Sequence, residues 1–324
     1  MKALVYNGPC SLDIQEADQP QPAEGEVRVR VDSVGICGSD MHAYLGHDER
    51  RSAPLILGHE AAGTIAEGPE AGKRVTINPL VSCGQCPNCK RGCENICPHR
   101  QIISMAPRQG AFAEYVVIPR DNLVEVPAAV TLSVAALAEP LAVSWHAARL
   151  GLAALHPDIA YRTLIIGGGT IGLAAALVLK AMGVEDIVLT EPNERRRAYL
   201  AARGGVTADS ETSGQFSLIF DAVGYAVTRA TASQHVAPGG VIVHIGLGED
   251  SGGLDVRRMT LQEITFIGTY TYTLQDFRDT AAAIFDGRLG ELDWTDIRPL
   301  DAGAEAFADI RAGRVAAPKV ILKP

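Results

Sequence analysis

The stretch TLIIGGGTIGLAAALVL, residues 163–179, constrains the fold of this chain most, because glycines join a strand-like apolar run directly to a helix-like one. Gly167, Gly169 and Gly172 form the pattern GxGxxG. In a strand–turn–helix unit the first glycine permits the tight turn, the second lets the backbone approach a pyrophosphate, and the third packs the helix on the strand. The free N–H groups and positive dipole of the helix N-terminus favour a bound phosphate. The stretch therefore predicts a dinucleotide site in an α/β domain.

An acidic residue at the end of the next strand-like run supports this interpretation. The run DIVLTE leads into Glu191, 19 residues after Gly172, where a carboxylate can accept hydrogen bonds from ribose hydroxyls. A carboxylate there also repels a 2′-phosphate, which favours NAD over NADP. Arg195, Arg196 and Arg197 can receive a phosphate, but we favour a solvated helix face with one guanidinium, that of Arg196, over the adenine. We expect the cofactor contacts from Gly167, Gly169, Thr170, Ile171, Gly172, Glu191 and Arg196.

The chain divides into segments of different periodicity. Residues 1–140 are β-rich: EVRVRVD, residues 26–32, alternates apolar and polar side chains, and many glycines and prolines separate short strand-like runs. In residues 141–273, near-continuous apolar strands alternate with helices, which predicts a doubly wound parallel sheet. Residues 274–324 add two amphipathic helices and a closing strand, KVILK, and we expect them to return to the first domain.

Composition excludes several classes of function. The 324 residues include 47% hydrophobic ones, enough for a large core. A formal net charge of −9, without a long basic tract, argues against binding to nucleic acid or to an anionic membrane. The sequence shows no secretory leader and no apolar run long enough to cross a bilayer. We therefore expect a cytoplasmic protein that acts on small molecules.

Five of the seven cysteines lie in VSCGQCPNCKRGCENICP, residues 81–98. In a reducing compartment such a cluster is more readily a metal site than a set of disulfides. Four thiolates in a tetrahedral array leave no position for a substrate, so a zinc ion held by them is structural. The spacing alone allows either Cys93 or Cys97 to be the fourth ligand.

Two shorter motifs of the β-rich region carry isolated metal-binding residues. GICGSDMH contains Cys37, and GHEAAG contains His59 and Glu60. A lone cysteine or histidine is more often structural, but a catalytic zinc needs about three such ligands and one open position for water or substrate. Because both motifs accompany a dinucleotide motif, they predict an open, catalytic metal site.

These motifs, together with the cysteine cluster and EPLAV at residues 139–143, follow one another in an order and at a spacing that resemble the zinc-dependent medium-chain dehydrogenase/reductase superfamily. The resemblance covers essentially the whole chain. It is strongest to the polyol (sorbitol) dehydrogenase branch, with L-threonine and 2,3-butanediol dehydrogenases as near relatives. It implies a GroES-like catalytic domain in residues 1–140, with a structural zinc lobe at 81–98, and a Rossmann NAD-binding domain in residues 141–273.

The resemblance also implies roles for individual residues. Cys37, His59 and Glu60 match the ligands of the catalytic zinc. Glu139 stands where the sorbitol branch presents a glutamate to the zinc or to its bound water, and it favours a polyol-type enzyme. The structural zinc ligands are matched by Cys83, Cys86, Cys89 and Cys97, which leaves Cys93 as the spare cysteine.

The implied reaction transfers a hydride from the carbinol carbon of a polyol or other secondary alcohol to NAD, by way of a zinc-bound alkoxide. Ser39 and His42 match the family's proton relay, and the ordinary pKa of a histidine suits that task. Asp40 supports the local turn or orients a ligand. Lys319 falls where the family presents a basic residue to the cofactor phosphates. The candidate pocket residues, chosen by placement, are Phe112, Tyr44 and Leu57.

Two other functions are less consistent with these residues. A zinc-stabilised dinucleotide-binding protein without turnover has no need of an open metal site. A zinc-free quinone or enone reductase on the same fold needs neither the metal ligands nor Glu191. The substrate itself stays open, because the chain is short and its segment GHDERRSAP is charged rather than aromatic. The family pattern is a homodimer paired through the sheet edges of the cofactor domains, or a homotetramer of two such dimers.

Overall fold

The computed structural model describes all 324 residues, which form two units. The first comprises Met1–Glu139, Thr273–Gly287 and Thr295–Pro324, and the second comprises Pro140–Tyr272 and Arg288–Trp294. No helix is both long enough and apolar enough to cross a membrane.

Seventeen strands and ten α-helices build the two units. In chain order the strands are β1 (Lys2–Gly8), β2 (Ser11–Glu16), β3 (Glu26–Gly35), β4 (Leu55–Ile56), β5 (Glu60–Ile65), β6 (Arg74–Ile77), β7 (Leu80–Val81), β8 (Gln101–Ile102), β9 (Tyr115–Pro119), β10 (Leu123–Glu125), β11 (Arg162–Ile166), β12 (Asp186–Thr190), β13 (Phe216–Asp221), β14 (Val236–His244), β15 (Thr265–Gly268), β16 (Thr295–Pro299) and β17 (Lys319–Lys323). The helices are α1 (Gly38–Tyr44), α2 (Pro87–Lys90), α3 (Leu132–Ala135), α4 (Ala138–Ala154), α5 (Thr170–Ala181), α6 (Glu194–Tyr199), α7 (Ala226–His235), α8 (Val256–Leu261), α9 (Leu274–Phe285) and α10 (Gly303–Arg311).

The first unit is organised around a seven-stranded sheet of order β10-β6-β5-β3-β17-β16, in which β9 also pairs with β3. The alternating stretch EVRVRVD forms most of β3, with Val29 and Val31 buried and Arg30 exposed, as the sequence predicts. A smaller sheet, β2-β1-β4, packs its apolar residues into the same core. The C-terminal strand β17 lies antiparallel to β3, so the end of the chain completes the sheet that carries the first metal-binding motif.

The second unit is a five-stranded, wholly parallel sheet of order β12-β11-β13-β14-β15. Its central strands are almost entirely buried because helices cover both faces, and this agrees with their near-continuous apolar sequences. The strand order reverses at β11, so the glycine-rich turn after β11 lies at the switch point where such sheets bind ligands. Beyond β12 the sheet continues only as a single bridge between Thr190 and Asp209.

The segment Arg288–Trp294 interrupts the expected return of residues 274–324 to the first unit, because it clusters with the second. The Trp294 side chain is buried, and the Arg288 guanidinium lies 5.9 Å from the centre of the Trp145 ring. Arg203 forms an ion pair of 2.6 Å with Asp293. The buried Trp294 side chain, one cation–π contact and one ion pair therefore hold this short segment to the second unit.

Candidate metal centres and dinucleotide site

Four of the five clustered cysteines converge. The Sγ atoms of Cys83, Cys86, Cys89 and Cys97 all lie within 4.8 Å of one another. The turn CPNC positions two of them, since Cys86 caps α2 and accepts the backbone N–H of Cys89. The Sγ of Cys93 lies instead 4.0 Å from the carbonyl oxygen of Arg91 and is not part of the quartet. The placement supports the four predicted ligands and the predicted spare.

The electrostatics of this quartet fit a bound cation. Backbone N–H groups of Gln85 and Cys86 donate to the Sγ of Cys83 and lower its pKa to about 6. Burial, followed by the neighbouring thiols, raises the pKa of Cys89 to about 12. Four thiolates this close repel one another, so all four can be ionised together only around a positive ion. Zinc with four sulfur ligands is the tetrahedral site that this donor set favours.

The isolated motifs form a second, smaller cluster. Ligand atoms of Cys37, His59 and Glu60 lie within 4.8 Å of one another. Cys37 is the residue before α1, and Glu60 begins β5, which pairs with the end of β3. Gly35 is opposite Glu60 in this pair, and a Cβ there would lie 2.0 Å from Glu60 Oε2. The glycine therefore makes room for the carboxylate at the cluster.

Two side chains face the inner nitrogen of His59. Its Nδ1 lies 3.5 Å from Asp40 Oδ1 and 3.4 Å from the hydroxyl of Ser104. Asp40 is fully buried and accepts N–H groups from Cys37 and Gly58. Burial alone would raise the pKa of Asp40, but His59 and the other donors outweigh it and lower the pKa. Because Nδ1 is engaged, Nε2 is the nitrogen that is free to bind a metal, and the position of Asp40 fits the predicted role of orienting a ligand.

Glu60 is held from one side only. Its Oε1 accepts a hydrogen bond of 2.6 Å from the Lys319 ammonium, and the two groups form an ion pair. The ammonium also donates to the carbonyl oxygen of Ile36. Its Oε2 is buried and has no hydrogen-bond partner. Buried polar atoms are nearly always satisfied, so an orphan carboxylate oxygen in a cluster with cysteine and histidine fits a metal ligand.

The structure contradicts the expectation that Lys319 binds the cofactor phosphates. Lys319 is 2% exposed, and its ammonium is already paired with Glu60. Burial disfavours its charge, but the nearby Glu60, Cys37 and Glu139 more than compensate and raise its pKa. The lysine therefore neutralises negative charge beside the metal cluster.

Glu139 lies in the first turn of α4 and is buried. It is not part of the three-donor cluster, although its charge acts on Lys319. Its role as a ligand, direct or through water, stays a prediction.

Three side chains that are predicted to line the substrate pocket lie elsewhere. Phe112, Tyr44 and Leu57 are buried in the core of the first unit. Two of them pack against Phe307, because its ring centre lies 5.9 Å from that of Phe112 and 5.3 Å from that of Tyr44. These three side chains therefore contribute to the core of the unit and not to a ligand pocket.

The glycine turn has the geometry that the sequence predicts. Gly167 has φ +101°, which favours glycine, and a Cβ on Gly172 would lie 1.7 Å from the carbonyl oxygen of Gly167. Gly169 precedes α5, and a Cβ built on it meets nothing within 4 Å, so the backbone there is open to a phosphate. Thr170 and Ile171 form the first turn of α5.

Glu191 follows β12 and lies against this turn. Its carboxylate accepts the N–H of Gly168 at 2.9 Å and that of Asn193 at 2.8 Å. Arg197 braces the same loop by donating to the carbonyls of Glu191 and Pro192. Arg195 is exposed, while Arg196 is partly buried and burial lowers its pKa. The carboxylate therefore lies against the glycine turn, which is the arrangement that the motif spacing predicts.

Two family models match the chain: the alcohol dehydrogenase GroES-like domain over residues 23–128, and the zinc-binding dehydrogenase over residues 170–286. The chain is 30% identical to 2-dehydro-3-deoxy-L-galactonate 5-dehydrogenase of Pseudoalteromonas atlantica, across 96% of this chain and 93% of that one. It is 32% identical to a sorbitol dehydrogenase of Arabidopsis thaliana, across 81% and 78%. An alcohol dehydrogenase from Escherichia coli CFT073, solved with NADH, has a TM-score of 0.90 at 26% identity, across 100% and 99%.

The chain therefore belongs to the zinc-dependent medium-chain dehydrogenase/reductase superfamily. Within it, the chain falls in the polyol dehydrogenase branch. The predicted family, the GroES-like and Rossmann fold class, and the enzyme class of an NAD-dependent zinc alcohol dehydrogenase are confirmed.

Proposed function

We propose that the cluster of Cys37, His59 and Glu60 oxidises the carbinol carbon of a polyol or other secondary alcohol, with NAD as the hydride acceptor. The contrast between the two metal clusters carries this proposal. Four sulfur donors close one of them, whereas the other has three donors of mixed type, one of them an orphan carboxylate oxygen. A site with three protein ligands keeps a position for substrate.

Zinc held by these three donors supplies a Lewis acid that lowers the pKa of a substrate hydroxyl. The remaining steps fall to the protein. The Ser39 hydroxyl accepts the released proton and passes its own onward, and His42, three residues later on α1, transfers it to water. Asp40 holds the His59 ring in its orientation, while Lys319 binds one oxygen of the Glu60 carboxylate.

The cofactor is bound, on this proposal, by the glycine turn and Glu191. Backbone N–H groups at the start of α5 face the pyrophosphate, and the Glu191 carboxylate accepts the ribose hydroxyls. A negative charge there disfavours a 2′-phosphate, so NAD is preferred to NADP. Arg196 over the adenine completes the proposed contacts. We place the enzyme in the cytoplasm, because a quartet of cysteines that binds a metal as thiolates suits a reducing compartment.

A turnover screen tests the function. Sorbitol, galactitol, xylitol, L-threonine, 2,3-butanediol and primary alcohols are each offered with NAD or NADP, before and after treatment with a chelator. We expect reduction of NAD by at least one polyol or secondary alcohol, a preference over NADP of about tenfold or more, and loss of activity that zinc restores. Turnover of L-threonine or 2,3-butanediol alone would indicate those types instead. No turnover of any alcohol would favour a dinucleotide-binding protein.

We also propose that two copies pair through the free edge of β15. Large exposed apolar side chains of the second unit fall in the segments between β13 and β15: Tyr225, Val227, Leu247, Val256 and Leu261. An open sheet edge beside an apolar patch favours association with another chain. A tetramer would be built of two such dimers.

Light scattering tests this pairing. The double variant Val256→Glu/Leu261→Glu, which places two charges on α8, should be monomeric while keeping two zinc ions per chain. Ile297→Glu, at a residue of β16 that is 51% exposed, is the control and should stay a dimer or tetramer. A wild-type monomer, or an unchanged mass in the double variant, would contradict the proposed interface.

A further inference from the structure

A buried arginine lies in the charged segment that follows α1. Arg51 is 3% exposed, whereas its neighbour Arg50 is exposed. The guanidinium donates through Nε to the carbonyl of Ser104 at 3.1 Å, and through Nη1 to Asp48 at 2.5 Å and to the carbonyl of Ser39 at 3.4 Å. Its Nη2 donates to the hydroxyl of Ser39 at 3.3 Å. All three nitrogens are therefore used.

Two of these contacts reach the surroundings of the open metal cluster. Ser39 is two residues after Cys37. The hydroxyl of Ser104 lies 3.4 Å from Nδ1 of His59. The ion pair with Asp48 fixes the guanidinium in this position, since both side chains are buried. Burial opposes ionisation of Asp48, but hydrogen bonds from Arg50 and the charge of Arg51 lower its pKa to about 2.

The hydrogen bond from Arg51 limits which further hydrogen bonds the Ser39 hydroxyl can make. A serine hydroxyl has one hydrogen to donate and two lone pairs, whereas a guanidinium only donates. With Nη2 on one lone pair, the hydroxyl keeps one acceptor position and one donor hydrogen. A relay residue needs one of each, because it accepts the proton of the alcohol while it gives its own to the next group.

We propose that Arg51 is a positioning residue for proton transfer, which holds the Ser39 hydroxyl so that it accepts from the substrate side and donates onward. The proposal rests on the proposed function, since it assigns Arg51 a part in that reaction. The positive charge also favours the Ser39 oxygen when it carries partial negative charge during the transfer. A purely structural arginine would brace the loop without affecting the relay.

A double-mutant cycle separates the two roles. Arg51→Met should lower kcat about 10- to 100-fold, with the KM for NAD changed by less than about twofold and two zinc ions retained. Ser39→Ala should lower kcat by a comparable factor. In Ser39→Ala/Arg51→Met the two losses should not multiply, because the arginine acts through the hydroxyl. Multiplying losses, or full activity of Arg51→Met, would overturn the proposal.

Arg50→Met is the matched control. Arg50 binds the same Asp48 carboxylate, at 2.8 Å and 3.0 Å, and the substitution removes the same charge. It should leave kcat within about twofold of wild type. Should Arg51→Met deprive the Asp48 carboxylate of its buried partner and fail to fold, Asp48→Asn/Arg51→Met removes both charges and enters the same cycle.

A crystal structure of the folded Arg51 variant, in its metal-loaded form, tests the contact without any turnover. We expect the Ser39 side chain to occupy several rotamers, while Cys37 and His59 keep their positions. A Ser39 side chain that is unchanged and well ordered would overturn the proposal even in an active enzyme. Failure of the proposed function would appear separately, as a wild-type chain that oxidises no alcohol.

Discussion

Replacement of His59 by alanine should remove one of two zinc ions per chain and lower kcat/KM by at least about 1,000-fold. The open cluster has only three close donors, so the loss of one leaves a cysteine and a carboxylate, too few for a stable zinc site. The quartet of cysteines is a separate set of residues and should keep its own ion.

Metal analysis and steady-state kinetics measure this effect. His156→Ala is the control, because His156 is exposed and its ring faces only Asp158. It should keep two zinc ions and full activity. If His59→Ala retained both zinc ions and its activity, His59 would not be a ligand and the proposed reaction site would be wrong.

The second large effect concerns the cysteine lobe. Cys97→Ala should lose one zinc ion and lower the free energy of unfolding by about 3 kcal/mol or more, because a structural zinc contributes directly to folding. Cys97 is fully buried and its Sγ lies 3.5 Å from that of Cys83. Cys93→Ala should keep both ions and most of the stability, since its Sγ is outside the quartet.

Zinc content, together with thermal and denaturant unfolding, distinguishes the two variants. Hydrogen exchange at residues 83–97 should rise in Cys97→Ala and stay at the wild-type rate in Cys93→Ala. The opposite pattern, with zinc lost from the Cys93 variant and kept by the Cys97 variant, would exchange the two assignments.

The features that the sequence predicted correctly depend on short-range spacing. GxGxxG after an apolar run specifies a strand, a tight turn and a helix, and the structure has β11, the positive φ of Gly167 and α5. Alternation in residues 26–32 specifies one buried face of β3. Cys83, Cys86 and Cys89 are each three residues apart, and this spacing brings their sulfur atoms together. Each of these patterns determines its own local geometry.

The wrong expectations have a different origin. Position in the chain favours a pocket location for Phe112 and Tyr44, but Phe307 from α10 packs against both. The resemblance implies that Lys319 binds the cofactor phosphates, but β17 lies beside β3 and brings the lysine to Glu60. Neither partner could be identified from the motif itself, because each lies far away in the chain.

Motif order and spacing are enough to identify the family, the fold class and the residue types of both metal clusters, because they can be recognised without knowledge of the packing. The groups that surround the open cluster become known only from the folded chain. Lys319 contacts Glu60 across 259 residues of chain, and Arg51 reaches both Ser39 and the carbonyl of Ser104. Such contacts depend on how strands and loops pack, and burial then decides which charges must be paired.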